Sequence, residues 1–113
     1  YYFMWSAGDW TKGTYRVNAA FADSPFGPFE NHTRVLDSGD GKLANGPGHN
    51  GYFYLPEEDL YICVYHRHRP DIADGNARFM CLDVMRFGED GSILPVQMTR
   101  GWEYCDGKIT VQE

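Results

Sequence analysis

Apolar positions in this chain come in short bursts, and the bursts are rich in aromatic and β-branched residues. The segments Tyr1–Ser6, Tyr15–Ala22, Gly51–Leu55, Leu60–His66 and Arg78–Phe87 have this character, and shorter ones cover Ile93–Val96 and Lys108–Val111. Their length and residue types predict strands. No helix is predicted. The longest stretch free of Gly and Pro, Glu57–Arg69, is centred on Leu60-Tyr61-Ile62-Cys63-Val64-Tyr65, which favours a strand. Turn signals separate the bursts: Ala7-Gly8-Asp9, the run from Asp23 to Pro28, Gly39-Asp40-Gly41, Pro56 to Asp59, Asp74-Gly75-Asn76 and Glu89-Asp90-Gly91.

Within two of these strands, both faces are apolar. Leu60, Ile62 and Val64 alternate with Tyr61, Cys63 and Tyr65; Phe79, Cys81, Met85 and Phe87 alternate with Met80, Leu82 and Val84. A sheet with one wet face alternates cleanly between apolar and polar. These sheets must therefore be covered on both sides, and without helices other sheets must cover them. The expected fold is all-β: small antiparallel sheets arranged as a partial β-propeller of about two blades. The whole chain, 1–113, is expected to form this one domain. Blade-like units span about 1–35 and 51–87, a Gly-rich connection covers 37–50, and a C-terminal extension covers 97–113. The two units share spacing but no clear sequence identity.

Composition sharpens this reading. Aromatics make up 16% of the chain and stand beside 13 glycines and 6 prolines, as short strands joined by tight turns require. Ten basic residues against sixteen acidic ones give a net charge of −6, with no basic stripe to displace counterions, so nucleic acid is not an expected partner. No apolar run approaches the roughly 20 residues of a membrane span, so no membrane association is expected. The three cysteines match neither a zinc site nor a disulfide framework; Cys63 and Cys81 read as buried thiols. No targeting segment precedes the first strand, and the chain opens in a strand interior without an initiator Met. It is therefore expected to be a piece of a longer protein or a trimmed product.

Four stretches together carry a family resemblance. They are Tyr1-Tyr2-Phe3-Met4-Trp5-Ser6 with Gly8 and Trp10; Ala20-Phe21-Ala22-Asp23-Ser24-Pro25-Phe26-Gly27-Pro28-Phe29; Gly46-Pro47-Gly48-His49-Asn50-Gly51 followed by Tyr61 to Arg67; and Arg78 followed by Glu89-Asp90-Gly91-Ser92-Ile93-Leu94-Pro95-Val96. In this order they resemble glycoside hydrolase family 43, a five-bladed β-propeller, over roughly its last two blades. The stretch from Met98 to Cys105 departs from the family's usual ending. The resemblance implies a parent enzyme that cleaves arabinose- or xylose-containing plant polysaccharides by inverting hydrolysis. It also implies that the general base, the assisting Asp and the general acid Glu all lie upstream of residue 1, leaving no catalytic residue in this chain. On the same ground His49 matches a histidine near the propeller axis, beside a central cation that is often calcium. Arg78 matches an arginine that reaches the bound sugar. Trp10, beside a turn, is the best sugar-stacking residue. The resemblance implies no required cofactor and leaves room for a structural calcium. The partners expected are carbohydrate and, through open blade faces bearing Phe79, Cys81 and Met85, a second copy of the chain. The alternative is a non-catalytic carbohydrate-binding or interaction module built on the same fold.

The remaining polar residues read as structural. Inverting glycosidases need two carboxyls roughly 6.5–9.5 Å apart. Asp9, Asp23 and Asp40 instead sit in turns, where Asp caps backbone amides, and Glu57, Glu58 and Asp59 form a solvated hairpin tip. Asp83 lies within an apolar strand and needs a partner, for which an arginine is expected. His66 and His68 form a His-x-His pair without an evident third metal ligand. Asn31-His32-Thr33 fits a glycosylation sequon, which matters only in a secreting eukaryote.

Overall fold

A computed structural model describes residues 1–38, 45–105 and 108–112, with side chains as far as residue 100. The expected turn at Gly39-Asp40-Gly41 lies outside the described residues. Strands β1 (Tyr2–Ala7), β2 (Arg16–Phe21) and β3 (Glu30–Leu36) form one antiparallel sheet in that order. Strands β4 (Gly48–Leu55), β5 (Leu60–His68) and β6 (Arg78–Met85) form a second. A separate hairpin pairs β7 (Gly101–Cys105) with β8 (Lys108–Gln112). The fold is thus all-β, with two small three-stranded antiparallel sheets. No helix among the described residues is long and apolar enough to cross a membrane.

The two sheets bury their facing sides against each other. Val17 and Ala19 of β2 and Val35 and Leu36 of β3 meet Cys63 and Tyr65 of β5 and Cys81 and Met85 of β6. Small residues on β2 let the sheets approach, and Tyr65 fills the space this leaves. As the two-faced patterning requires, adjacent residues of the central strand β5, Ile62 and Cys63, are both fully buried. Burial also pushes the Cys63 thiol up to about 12 and the Cys81 thiol up to about 11.

The structure departs from the sequence reading in four places. Ile93–Val96 is no strand: Ile93 makes an isolated bridge to Phe87, and the Val96 amide donates to the Val35 carbonyl at 2.8 Å. This segment closes the edge of the first sheet instead of extending the second. Strand β3 was not expected, because Glu30-Asn31-His32-Thr33-Arg34 is polar; as an edge strand it needs only Val35 and Leu36 to anchor it. Strand β7 was likewise not expected. Finally, Cys81 and Met85 belong to the core and are not open blade surface. Phe79 is exposed as expected, and the exposed apolar residues include Tyr1, Tyr2 and Phe3 at the start of the first sheet and Tyr52 and Met80 of the second.

Asp83 has the arginine partner its position demanded. Arg67 Nη2 lies 2.9 Å from Asp83 Oδ2, with both side chains 2% exposed. The Tyr65 hydroxyl donates to the same oxygen at 2.6 Å and accepts from Arg67 Nε at 3.0 Å. The amide and hydroxyl of Thr99 donate to Asp83 Oδ1, at 3.2 and 2.5 Å. One buried carboxylate thereby fastens the segment after Val96 to the second sheet.

Candidate functional site

The site is assembled where β1 ends, β4 begins and β6 starts. Between β4 and β5, Gly48 pairs with His66 and Gly51 with Val64, so the three-residue step on β4 opposes a two-residue step on β5. The extra residue is a β-bulge, a device that re-aims a side chain. His49 sits in it with φ of 52°. Its amide donates to Ser6 Oγ at 3.0 Å, which ties the end of β1 to the start of β4. The His49 ring remains exposed.

The loop after β1 reaches across to the second sheet. Asp9 Oδ1 accepts from the Thr11 amide at 2.9 Å and hydroxyl at 2.7 Å, which folds the loop into a turn and holds the Asp9 carboxyl below its usual range. The fold of the loop carries Trp10 and Tyr15 over the second sheet. The Trp10 carbonyl accepts from His68 Nε2 at 2.8 Å. The Tyr15 ring passes directly over Gly48, where a Cβ would lie only 2.1 Å from a ring carbon. The same ring stacks on His66 at 5.9 Å between centroids.

Strand pairing then brings the rest together. His68 lies opposite Arg78, and His66 lies opposite Met80. The Arg78 guanidinium carbon sits 5.3 Å from the centre of the Trp10 ring, and Nη1 is 3.5 Å from His66 Nε2. The His66 ring contacts His49 edge-on at 6.4 Å and stacks on His68 at 6.4 Å. Trp10, His49 and Arg78 come from three separate segments and are thus gathered around His66. Sequence reasoning weighed His66 only as half of a metal pair and took Tyr15 for a strand residue. No local signal marks them: it is the register that sets His66 across from Gly48 and His68 across from Arg78, together with the bulge and the loop after β1, that brings them together.

Burial, first, and then the charges of Arg78, His68 and His49 push the His66 imidazole down to about 4, so the ring is neutral near neutral pH. The site therefore offers one fixed cation, a neutral imidazole, and aromatic faces. No hydrogen bond or ion pair among the described residues joins a carboxylate to these side chains. Such a set can bind and orient a neutral, hydroxyl-rich ligand; it contains no acid–base pair. It also makes a poor cation cage. No group of three or more His, Cys, Asp or Glu able to hold a metal ion occurs among the described residues, and a guanidinium stands beside the histidines. The residues present do not by themselves fit the calcium implied for His49, because that ion demands several oxygen ligands.

Several acidic residues are engaged elsewhere. Asp90 accepts from the Ser92 amide and hydroxyl, Asp74 from Asn76, and Asp59 from the Tyr54 hydroxyl. A concavity of about 740 Å³ lies beside the edge strands β1 and β4 and is lined by Tyr2, Phe3, Tyr52 and Tyr61; it includes none of Trp10, His49 or Arg78.

Three comparisons place this chain among known proteins. Residues 1–93 match the model of the glycosyl hydrolases family 43. The β-D-galactofuranosidase xynD of Aspergillus niger is 39% identical over 99 residues, which is 88% of this chain and 29% of that protein. The crystal structure of a thermostable family-43 glycoside hydrolase superposes with a TM-score of 0.69 at 32% identity, covering 86% of this chain and 31% of that one. The endo-1,4-β-xylanase of Bacteroides thetaiotaomicron superposes with a TM-score of 0.71 at 24% identity, covering 88% and 34%, and shows the shared fold. The chain thus spans about a third of the length of the relatives it matches.

Proposed function

Because the chain belongs to glycosyl hydrolase family 43, we propose that it is the later part of a propeller glycosidase acting on arabinose- or xylose-containing plant polysaccharides. The observation that carries this reading is the gathering of Trp10, His49 and Arg78 around one neutral imidazole. In this proposal Arg78 donates hydrogen bonds to sugar hydroxyls, Trp10 supplies an aromatic face, and His49 shapes the wall nearest the axis. Any central cation takes its oxygen ligands from elsewhere in the parent protein, and no step of the chemistry here depends on it.

The reaction is single-displacement hydrolysis. One carboxylic acid protonates the leaving oxygen while a carboxylate on the opposite face activates water. Both groups belong to the chain upstream of Tyr1. One observation supports that assignment: no hydrogen bond or ion pair among the described residues joins a carboxylate of this chain to the gathered side chains.

The test has two arms. The parent gene is expected to encode an Asp in the first blade and a Glu shortly before Tyr1, and the parent protein to hydrolyse aryl arabinofuranosides or xylosides, with aryl galactofuranosides as comparison. The purified 113-residue chain is expected to turn over none of them. Robust hydrolysis by this chain alone, lost on substituting one of its own carboxylates, overturns the proposal. A parent without either carboxylate and without activity favours a carbohydrate-binding module instead.

A further inference from the structure

The His66 ring occupies its place at a cost that packing does not explain. Its Nδ1 is closed off from solvent and meets no hydrogen-bond partner among the described residues. A buried ring nitrogen without a partner costs free energy that a phenyl ring would not. The stacking on Tyr15 and His68 is open to a phenyl ring as well. What only the imidazole provides is the contact at Nε2, 3.5 Å from Arg78 Nη1.

A hydrogen bond at that contact requires one tautomer. A guanidinium has donors and no acceptor, so Nε2 must present its lone pair and the neutral ring carries its proton on Nδ1. The proton therefore sits on the buried nitrogen that has no acceptor, and the lone pair faces Arg78. Arg78 is exposed and would sample many rotamers on its own. Here it is held between the Trp10 ring on one side and His66 Nε2 on the other. Fixing a long cationic side chain before the ligand arrives removes an entropy loss from binding.

We propose that His66 is a positioning residue of this site: its Nε2 lone pair, acting with the Trp10 ring, directs the Arg78 guanidinium toward a hydroxyl-rich ligand. The 3.5 Å separation is at the long limit for a hydrogen bond, so Nε2 orients the guanidinium mainly through the attraction of its lone pair for the cation. The proposal rests on the reading of Arg78 as a sugar-contacting residue, and its test separates the two.

The experiment compares the 113-residue chain with its His66→Gln and His66→Phe variants. The glutamine amide oxygen can replace the Nε2 acceptor, whereas phenylalanine keeps the ring and loses the acceptor. Three quantities are read by NMR: the His66 tautomer, the order of the Arg78 Nε–H bond, and binding of D-xylose and L-arabinose by titration. The expected tautomer is Nδ1–H. The phenylalanine variant is expected to melt no lower than wild type, to release Arg78 into motion and to weaken sugar binding about tenfold, while glutamine restores both. An Nε2–H tautomer, or Arg78 equally ordered in all three proteins, overturns the proposal. If wild type binds neither sugar, the sugar-contact reading fails, and Arg78 order still decides the role of His66. If the phenylalanine variant does not fold, the wild-type tautomer and the glutamine variant decide it.

Discussion

Two residues, Asp83 and His66, carry most of the consequence at the finest scale. Asp83 is a carboxylate in a core, tolerable because Arg67, Tyr65 and Thr99 surround it. Removing one member of a buried ion pair strands the other, so Asp83→Ala is expected to cost about 3–5 kcal/mol in a urea melt. In a domain of this size that is a large share of the total, and the variant should be substantially unfolded near 37 °C. Replacing Arg67 and Asp83 together by apolar residues of similar volume should cost less than the single change. His66 binds its proton more weakly in the folded chain than in the unfolded one, at about 4 against the ordinary 6.5. Above pH 6.5 neither state is protonated and the fold keeps its full stability. As pH falls from 6.5 toward 4 the unfolded chain takes up the proton first, and stability drops. The melting temperature should therefore fall between pH 7 and 4.5, and fall less in His66→Phe. The lowered carboxyls of Asp9, Asp71, Asp74 and Asp90 act below that window.

At the level of elements, the bulge at His49 and the loop after β1 form one unit. The bulge turns His49 out of the ladder, and the loop lays Tyr15 across Gly48 so that its ring can reach His66. Gly48 needs no unusual φ; what its position requires is the absence of a side chain. A Gly48→Ala substitution is expected to displace Tyr15 and cost about 1–3 kcal/mol by overpacking, measured by chemical denaturation. Loss of the Tyr15–His66 ring contact should appear in the same variant as a shift of the His66 ring resonances. A variant as stable as wild type with those resonances unmoved would refute the role assigned to this glycine.

For the whole molecule the decisive feature is incomplete coverage. The two sheets bury each other's facing sides, yet Tyr1, Tyr2, Phe3, Tyr52, Phe79 and Met80 stay at least 40% exposed. Outer strands present unpaired backbone groups as well. Exposed apolar surface of this kind drives association. The isolated chain is therefore expected to self-associate at micromolar concentration, most simply as a symmetric dimer. Light scattering checks this: a dimer mass with a concentration-dependent melt is expected, and a strictly monomeric mass with a concentration-independent melt would overturn it. The substitution Phe3→Lys, at an exposed position, should shift the balance toward monomer.

The sequence by itself determined the strand class, six of the strands to within a few residues, and the need for cover on both faces of β5, because local residue type and period-two alternation decide these. It also marked Asp83 as needing an arginine, since a lone buried carboxylate is untenable whatever the fold. Only the tertiary structure decided the rest. Strand β3 is polar in sequence and becomes a strand by pairing with β2. Ile93–Val96 looks like a strand and becomes a bridge and a tie, because Val35 offers its carbonyl there. Cys81 and Met85 look like open surface and become core, because the first sheet lies over them. Trp10, His49 and Arg78 could be named singly from the chain, but His66 at their centre could not. Its environment is set by hairpin register, a bulge and a crossing loop, all long-range relations that no local pattern of residues encodes.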